Sequence, residues 1–330
     1  MATHVAASKT GGYRIGGDHV AGAVQNERHP ALKRRKLWKN WQLYLFIAPT
    51  LAYFIIFSYF PMYGVQIAFK KFVASKGIWG SEWVGLDHFY RFFNSYYFWD
   101  LIKNTMGISL YELAVGFPVP IVLALALNEL KKSLFKNTLQ TITYAPYFIS
   151  TVVMGGLIIA FLSPQTGIIN TMVKAFGGEP IAFLSDPAWF KTVYVLSGVW
   201  QGMGMGTIIF LAVLSGIDPG LHEAAIIDGA SRFQRILYIN LPGLAPTMII
   251  ILILNMGNVL SVGYEKIFLL QNSLNMESSD VISTYVYRSG LQQAQYSFSA
   301  AVGLFNSAIN LVILVLVNWI ARRTQKVSLW

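Results

Sequence analysis

Glu112 is the acidic residue set deepest in an apolar run of this chain, and few other residues near it can do chemistry. A carboxylate within a membrane-length run is costly, so it faces a bundle interior or water. Two roles are open to it, a proton relay or a hydrogen-bonded structural group. No second acid and no His in an apolar run partners it, which favours the structural role. Five neutral amides form the other polar set: Gln201, Asn255, Asn258, Asn306 and Asn310. Asn255 and Asn258 are three apart and Asn306 and Asn310 four apart, so each pair shares a helix face. Such amides exchange hydrogen bonds with the hydroxyls of a passing solute, or they bond between helices at about 0.6 kcal/mol each. Both readings stand.

Reaction chemistry finds no other footing. The five His (His4, His19, His29, His88, His222) all lie outside the apolar runs, there is no Cys, and no HExxH, GxSxG or paired-carboxylate pattern occurs. No catalytic residue and no metal site are expected. The P-loop pattern G-x-x-x-x-G-K-[ST] is also missing, so nucleotide hydrolysis by that motif is excluded. Gly202, Gly204 and Gly206 resemble part of a nucleotide-binding glycine motif, but they lie inside an apolar run with no strand before them. Close helix packing is expected there instead.

The elements that must position these residues are membrane helices. Of 330 residues, 55% are hydrophobic and only 12% charged, against about 25% charged in a soluble domain. Six runs approach the roughly 20 residues needed to cross a bilayer: 43–69, 104–127, 139–162, 193–214, 247–262 and 300–321. The first contains Pro49 and Pro61; the fifth is short and interrupted by Asn255, Gly257 and Asn258. The expected fold is all-α and polytopic, with a tail over 1–42, a six-helix membrane domain over 43–321 and a second tail over 322–330. Sixteen of the 25 Lys and Arg fall on the side holding both tails, and nine fall on the other. The positive-inside rule then puts both termini in the cytoplasm. Lys33–Lys36 reads as a basic cluster at the membrane surface, with no role in nucleic-acid binding.

One cytoplasmic loop, 215–246, is not a plain connector. Glu223, Ala224 and Ala225 favour helix, Gly229 allows a turn, and Ser231 can cap a second helix carrying Phe233, Ile236 and Leu237. Pro242 and Pro246 are expected to stop that helix before the fifth run. The set Glu223-Ala224-Ala225, Asp228-Gly229-Ala230, Ile239, Leu241 and Pro242 resembles the EAA loop of permease subunits in binding-protein-dependent ABC importers. The resemblance implies the type I importer permease fold. It implies that this loop is the coupling helix, docked on a cytoplasmic ATPase. It also implies the partners: a second permease subunit, two ATPase copies that bind ATP and Mg, an external solute-binding protein, and the lipid of a bacterial inner membrane. This chain itself would need no cofactor.

A second resemblance narrows the solute. Asn128–Asn137, Gly116-Phe117-Pro118-Val119-Pro120 and Tyr144–Ser150 are similar to permeases that import oligosaccharides derived from polysaccharides, alginate-type systems among them. The aromatic segment 70–103, with Trp83-Val84-Gly85-Leu86-Asp87-His88-Phe89, resembles the stretch after the first span of sugar-importer permeases. It reads as an interfacial helix, serving as a platform for the binding protein or as a membrane anchor. Three rival functions remain. One is a gradient-driven transporter using Glu112, another an ABC permease for a non-sugar solute. The third, a membrane enzyme acting on lipid-linked sugars, lacks the reactive constellation it would need.

Overall fold

The computed structural model describes residues 41–130, 134–325 and 328–329. Lys33–Lys36, Lys131 and Lys132, on which part of the charge count rests, lie outside them, as does nearly all of the expected N-terminal tail. The chain divides into two compact units, one ending at Met62 and one covering Tyr63–Trp330. In the first, helix α1 (Trp41–Phe54) carries Pro49 in its interior and continues through a π-turn, Ile55–Tyr59. Its side chains are exposed throughout, as lipid-facing apolar residues must be in an isolated chain.

The second unit opens with a 3₁₀ helix, Tyr63–Phe69, then a short antiparallel pairing of Lys70–Lys71 with Glu82–Trp83, followed by α2 (Asp87–Phe93). The interfacial helix expected across this segment is therefore a hairpin and a two-turn helix. Phe92 is fully buried among Phe98, Tyr285, Phe298 and Phe305, so it belongs to a core and is no membrane anchor. Trp79, Trp83, Tyr96 and Trp99 stay exposed, as amphipathic rings do at headgroup depth.

Then come α3 (Phe98–Gly116) and α4 (Pro118–Glu129), which together form one long apolar helix. Pro118 is tolerated because it opens α4, where its missing N–H is no loss. Helices α5 (Leu134–Tyr144) and α6 (Thr151–Leu162) make the third span a broken one, bent by 103° between Phe148 and Thr151. Pro146 sits in the turn, and Ser150 restarts the helix by accepting from Val153 N at 3.3 Å. After α7 (Ile168–Ala175) comes α8 (Pro187–Ser215), capped by Asp186, whose carboxylate accepts from Ala188 N at 2.9 Å. Helices α9 (Pro219–Ile227), α10 (Arg232–Arg235) and α11 (Leu241–Met256) follow, with a π-turn Ile236–Asn240 joining the last two. The chain ends with α12 (Tyr264–Leu270), α13 (Ile282–Tyr287) and α14 (Tyr296–Gln325).

Among the described residues five helices are long and apolar enough to cross a membrane, and six if the bent pair counts as one. This is the expected all-α architecture with one correction. The fifth span is not short: it runs over Arg232–Met256 and passes straight through Pro242 and Pro246. At Pro242 the π-turn explains this, since Leu241 N bonds to Ile236 O and the widened turn leaves room for the ring; Pro246 stands inside the regular helix with no such device. The interruption lies after the helix, where 257–263 turns back.

Three apolar clusters hold this unit. One joins Ile108, Met154, Phe190, Val195 and Ile267; a second is the aromatic group around Phe92; a third joins Ile121, Ala124, Phe210, Leu214 and Leu244. Helix α8 serves the first and third. It reaches α5 through Gly204, where a Cβ would collide with the carbonyl of Thr143. That glycine packs helices closely, as its sequence context implied.

Candidate functional site

The loop between α8 and α10 is a knob built almost entirely by local rules. Asp218 caps α9 by accepting from Gly220 N at 2.9 Å, and Pro219 opens the helix. At the far end Gly229 has φ +80°. Its N–H bonds to Ile226 O at 3.0 Å, and Ala230 N bonds to Ala225 O at 2.8 Å. This pair of reversed bonds closes a helix around a left-handed residue. Ser231 then starts α10 with a capping box: its hydroxyl accepts from Gln234 N at 3.3 Å, and Gln234 Oε1 accepts from Ser231 N at 2.7 Å. The turn chemistry read from Gly229 and Ser231 is thus realised.

The knob carries Glu223, Ala224, Asp228 and Gly229 exposed, with Ala225 and Ala230 half-buried. Pro242 is not on it, but lies in the first turn of α11. The apolar side chains of the knob are unusually open: Ile227 is 85% and Phe233 72% exposed. At its base Asn240 is fully buried, and neither polar atom of its side chain has a partner among the described residues.

The other candidate feature is a cavity of about 490 Å³ between α3, α4, α8 and α11. Apolar walls come from Phe117, Val199, Met203 and Phe210; Glu112, Ser109, Asn255, Asn258 and Ser261 supply polar groups. Gly198, Gly202 and Gly206 line one wall. Gly202 therefore departs from the packing role expected of it, since a Cβ there would meet nothing within 4 Å.

Of the expected path residues, only Asn255 and Asn258 line this cavity. Gln201 donates to Ile149 O at 2.8 Å and ties the bend between α5 and α6 to α8. Asn310 is buried, accepts from Leu260 N at 3.0 Å and donates to Ser261 Oγ at 2.8 Å, which pins the turn after α11. Asn306 is half-buried, and its Oδ1 has no partner among the described residues. Spacing along a helix carries no information about which helix face meets the cavity.

Glu112 is also corrected. It accepts no hydrogen bond among the described residues, and it is exposed to the cavity. A partner does approach it: Lys266 Nζ from α12. Lys266 donates to Tyr194 O at 2.8 Å and sits 4.6 Å from the centre of the Tyr194 ring. Its place between the fifth and sixth apolar runs puts Lys266 among the nine basic residues of the outer side, and that placement alone does not bring it to Glu112. The only signal for it was the short interval between the end of the fifth run and Gly263-Tyr264-Glu265-Lys266.

The two kinds of asparagine should fail differently when changed to Leu. Asn310→Leu leaves a backbone N–H unpaired, at a cost of about 1–3 kcal/mol, and should lower the amount of folded chain recovered from membranes. Changing Asn255 and Asn258 together should spare recovery and lower transport per recovered complex. Uptake normalised to purified complex separates the two, and equal normalised uptake in both would return all three to structural roles.

The sequence matches that of the binding-protein-dependent transport system inner membrane component family over residues 116–326. Protein LplB of Bacillus subtilis is 43% identical over 300 residues, 91% of this chain and 93% of LplB. The polygalacturonan/rhamnogalacturonan transport system permease protein YteP of the same organism is 43% identical over 288 residues, 87% of this chain and 90% of YteP. Among solved structures, a chain of a bacterial ABC transporter involved in the import of the acidic polysaccharide alginate superimposes with a TM-score of 0.83 at 41% identity, over 89% of this chain and 99% of that one. The alginate transporter has also been solved with an alginate pentasaccharide-bound periplasmic protein.

Proposed function

This chain belongs to the family of binding-protein-dependent transport system inner membrane components, and on that premise we propose that it is one of two transmembrane subunits of an ATP-driven importer of polysaccharide-derived oligosaccharides. Membership of an ABC importer family sets aside the gradient-driven reading of Glu112. The carbohydrate class is supported by YteP and by the alginate transporter, which resemble this chain over nearly its whole length. A paired permease subunit, two cytoplasmic ATPases holding ATP and Mg, and an external binding protein complete the assembly.

One observation carries the mechanism. The knob and the cavity lie at opposite ends of a single helical run, Arg232–Met256, roughly 37 Å long at 1.5 Å per residue. The residues of the knob, Glu223 to Ala230, form the contact with the ATPase. ATP-driven closure of the ATPases draws the knob with it, and the run passes that displacement to Asn255 and Asn258 at the cavity. The ATPases need only favour one of two arrangements of the helices, because a ligand shifts such an equilibrium by its differential affinity for the two states.

In proteoliposomes holding the full assembly, oligosaccharide uptake should require ATP on the knob side and loaded binding protein on the other. Single cysteines report the orientation, since the chain has none of its own. With Ser231→Cys the exposed knob should resist an impermeant thiol reagent applied outside, and with Ser273→Cys the exposed loop after α12 should react. Ser273 serves better than Ser81, which is buried and bonds Val73 N at 3.0 Å. The reverse labelling pattern would place the knob on the wrong side for an ATPase and end this reading.

A further inference from the structure

Glu112 and Lys266 converge on one point of α8. A Cβ built on Gly198 would lie 3.3 Å from Lys266 Nζ and 4.0 Å from Glu112 Oε1. The glycine leaves room for both groups over one stretch of α8, near enough for each charge to act on the other. With no side chain at 198, the Lys266 ammonium reaches over the helix backbone to the carbonyl of Tyr194, at 2.8 Å. That contact and the Tyr194 ring hold the lysine in place. Two of the ammonium's three donors remain, and Glu112 is the carboxylate whose charge acts on it.

Glu112 itself is not consumed by the fold. It has no hydrogen-bond donor among the described residues and is exposed, and the space it faces is the cavity. Ser109, Asn255, Asn258 and Ser261 share that space with it. An ionised carboxylate has about four acceptor sites and donates to nothing. Its natural partner in an otherwise neutral, hydroxyl- and amide-lined cavity is a donor-rich solute, and adjacent sugar hydroxyls are donors spaced to meet two carboxylate oxygens. Charge-assisted bonds of this kind are stronger than those any amide in the cavity can make.

We propose that Glu112 is the substrate-contacting carboxylate of this subunit, accepting hydroxyl hydrogen bonds from the passing oligosaccharide, and that Lys266 is the positioning residue that holds it toward the cavity across Gly198. The inference rests on the reading of the chain as a sugar importer's permease. It assigns the hydroxyls, and not the carboxylates, of the substrate as the groups read at this point. A substrate carboxylate would face Glu112 as a like charge, with Lys266 already engaged.

Burial draws the Lys266 ammonium down to about 8, against the opposing pull of Glu112. The charged and titratable groups facing it are Glu112 from α3 and Tyr194 from α8. The ammonium is therefore charged below about pH 8, and the positioning it provides is lost as pH rises beyond that.

The test uses the complete assembly in proteoliposomes, with loaded binding protein at saturation and three probes: trigalacturonate, alginate pentasaccharide and neutral arabinotriose. Uptake per complex should fall about tenfold in Glu112→Gln, the scale of a lost hydrogen bond to a charged group, while ATPase stimulation by the binding protein is retained. Lys266→Met should fall similarly, and Lys266→Arg should keep most of the activity and extend it to higher pH. Because the lysine acts through the carboxylate, the double variant Glu112→Gln/Lys266→Met should be no worse than Glu112→Gln alone. A purely structural ion pair gives a different pattern: each single change lowers the amount of complex recovered, the double change restores it, and uptake per complex stays level. That result overturns the proposal. So does a rise in uptake of either acidic probe in Glu112→Gln, which would make Glu112 a charge filter. Failure of the unmodified assembly on all three probes overturns the carbohydrate reading itself, and the inference with it.

Discussion

Gly229→Pro will leave the chain inserted and assembled but will abolish ATP-driven uptake. The argument is local. Gly229 holds φ +80°, whereas proline is fixed near −65° and has no N–H. The substitution removes the bond to Ile226 O and, by forcing the backbone out of the left-handed region, also removes the bond from Ala230 N to Ala225 O. Helix α9 loses its closure and the Ser231 capping box loses its place after it. Together these cost about 3 kcal/mol or more, spent on an exposed knob and not on the three apolar clusters. Gly229→Ala, which meets no neighbour within 4 Å, pays only the left-handed penalty of about 1–2 kcal/mol and should uncouple partially. Glu223→Lys tests the same surface without touching the backbone. Substrate-stimulated ATP hydrolysis and uptake, measured on one proteoliposome preparation, decide the matter. If the proline variant transports normally with normal coupling, the knob is not where the ATPase docks.

The turn of the knob was legible because its fold is written locally, between Asp218 and Gln234. Gly229 and Ser231 were read as a turn and a cap, whereas the Asp218-Pro219 start of α9 and the Gln234 half of the capping box carry equally local signals that were not read. The spans were legible by hydropathy, but their ends were not. Helices α3–α4 and α14 run several residues past the apolar runs because polar residues such as Asp100 and Arg322 continue a helix already nucleated. Pro242 misled for a physical reason. A proline breaks an α-helix through its clash with the carbonyl four residues back, and a π-turn just upstream removes that clash, a device no residue type announces. The cavity was the least legible. Whether Asn258 or Asn310 faces it depends on which neighbour each helix packs against. The approach of Lys266 to Glu112 joins residues far apart in sequence through a glycine on a third helix. Its position between the fifth and sixth runs placed Lys266 in a loop and gave no hint of Glu112.

Gly202 and Gly204 offer the second large effect, because two glycines separated only by Met203 should fail in opposite ways. On α8, Gly202 lines the cavity and a Cβ there meets nothing within 4 Å, whereas a Cβ on Gly204 would collide with the Thr143 carbonyl. Trp is a better helix former than glycine by a few tenths of a kcal/mol, so Gly202→Trp should fold and assemble about as well as the parent. Its indole then occupies a large share of a cavity of about 490 Å³. Forcing a sugar past it costs at least the 1–3 kcal/mol typical of overpacking, so uptake should fall on the order of a hundredfold at unchanged complex recovery. Gly204→Ala adds one methyl group against backbone that cannot yield, and should instead lower recovery by separating α8 from α5. Complex recovered by affinity purification, plotted against uptake per complex, places the two variants on different axes. Normal uptake in Gly202→Trp would mean that the solute passes elsewhere, through the partner subunit's half of the pathway, and that the cavity lined by Glu112, Asn255 and Asn258 is not on its route.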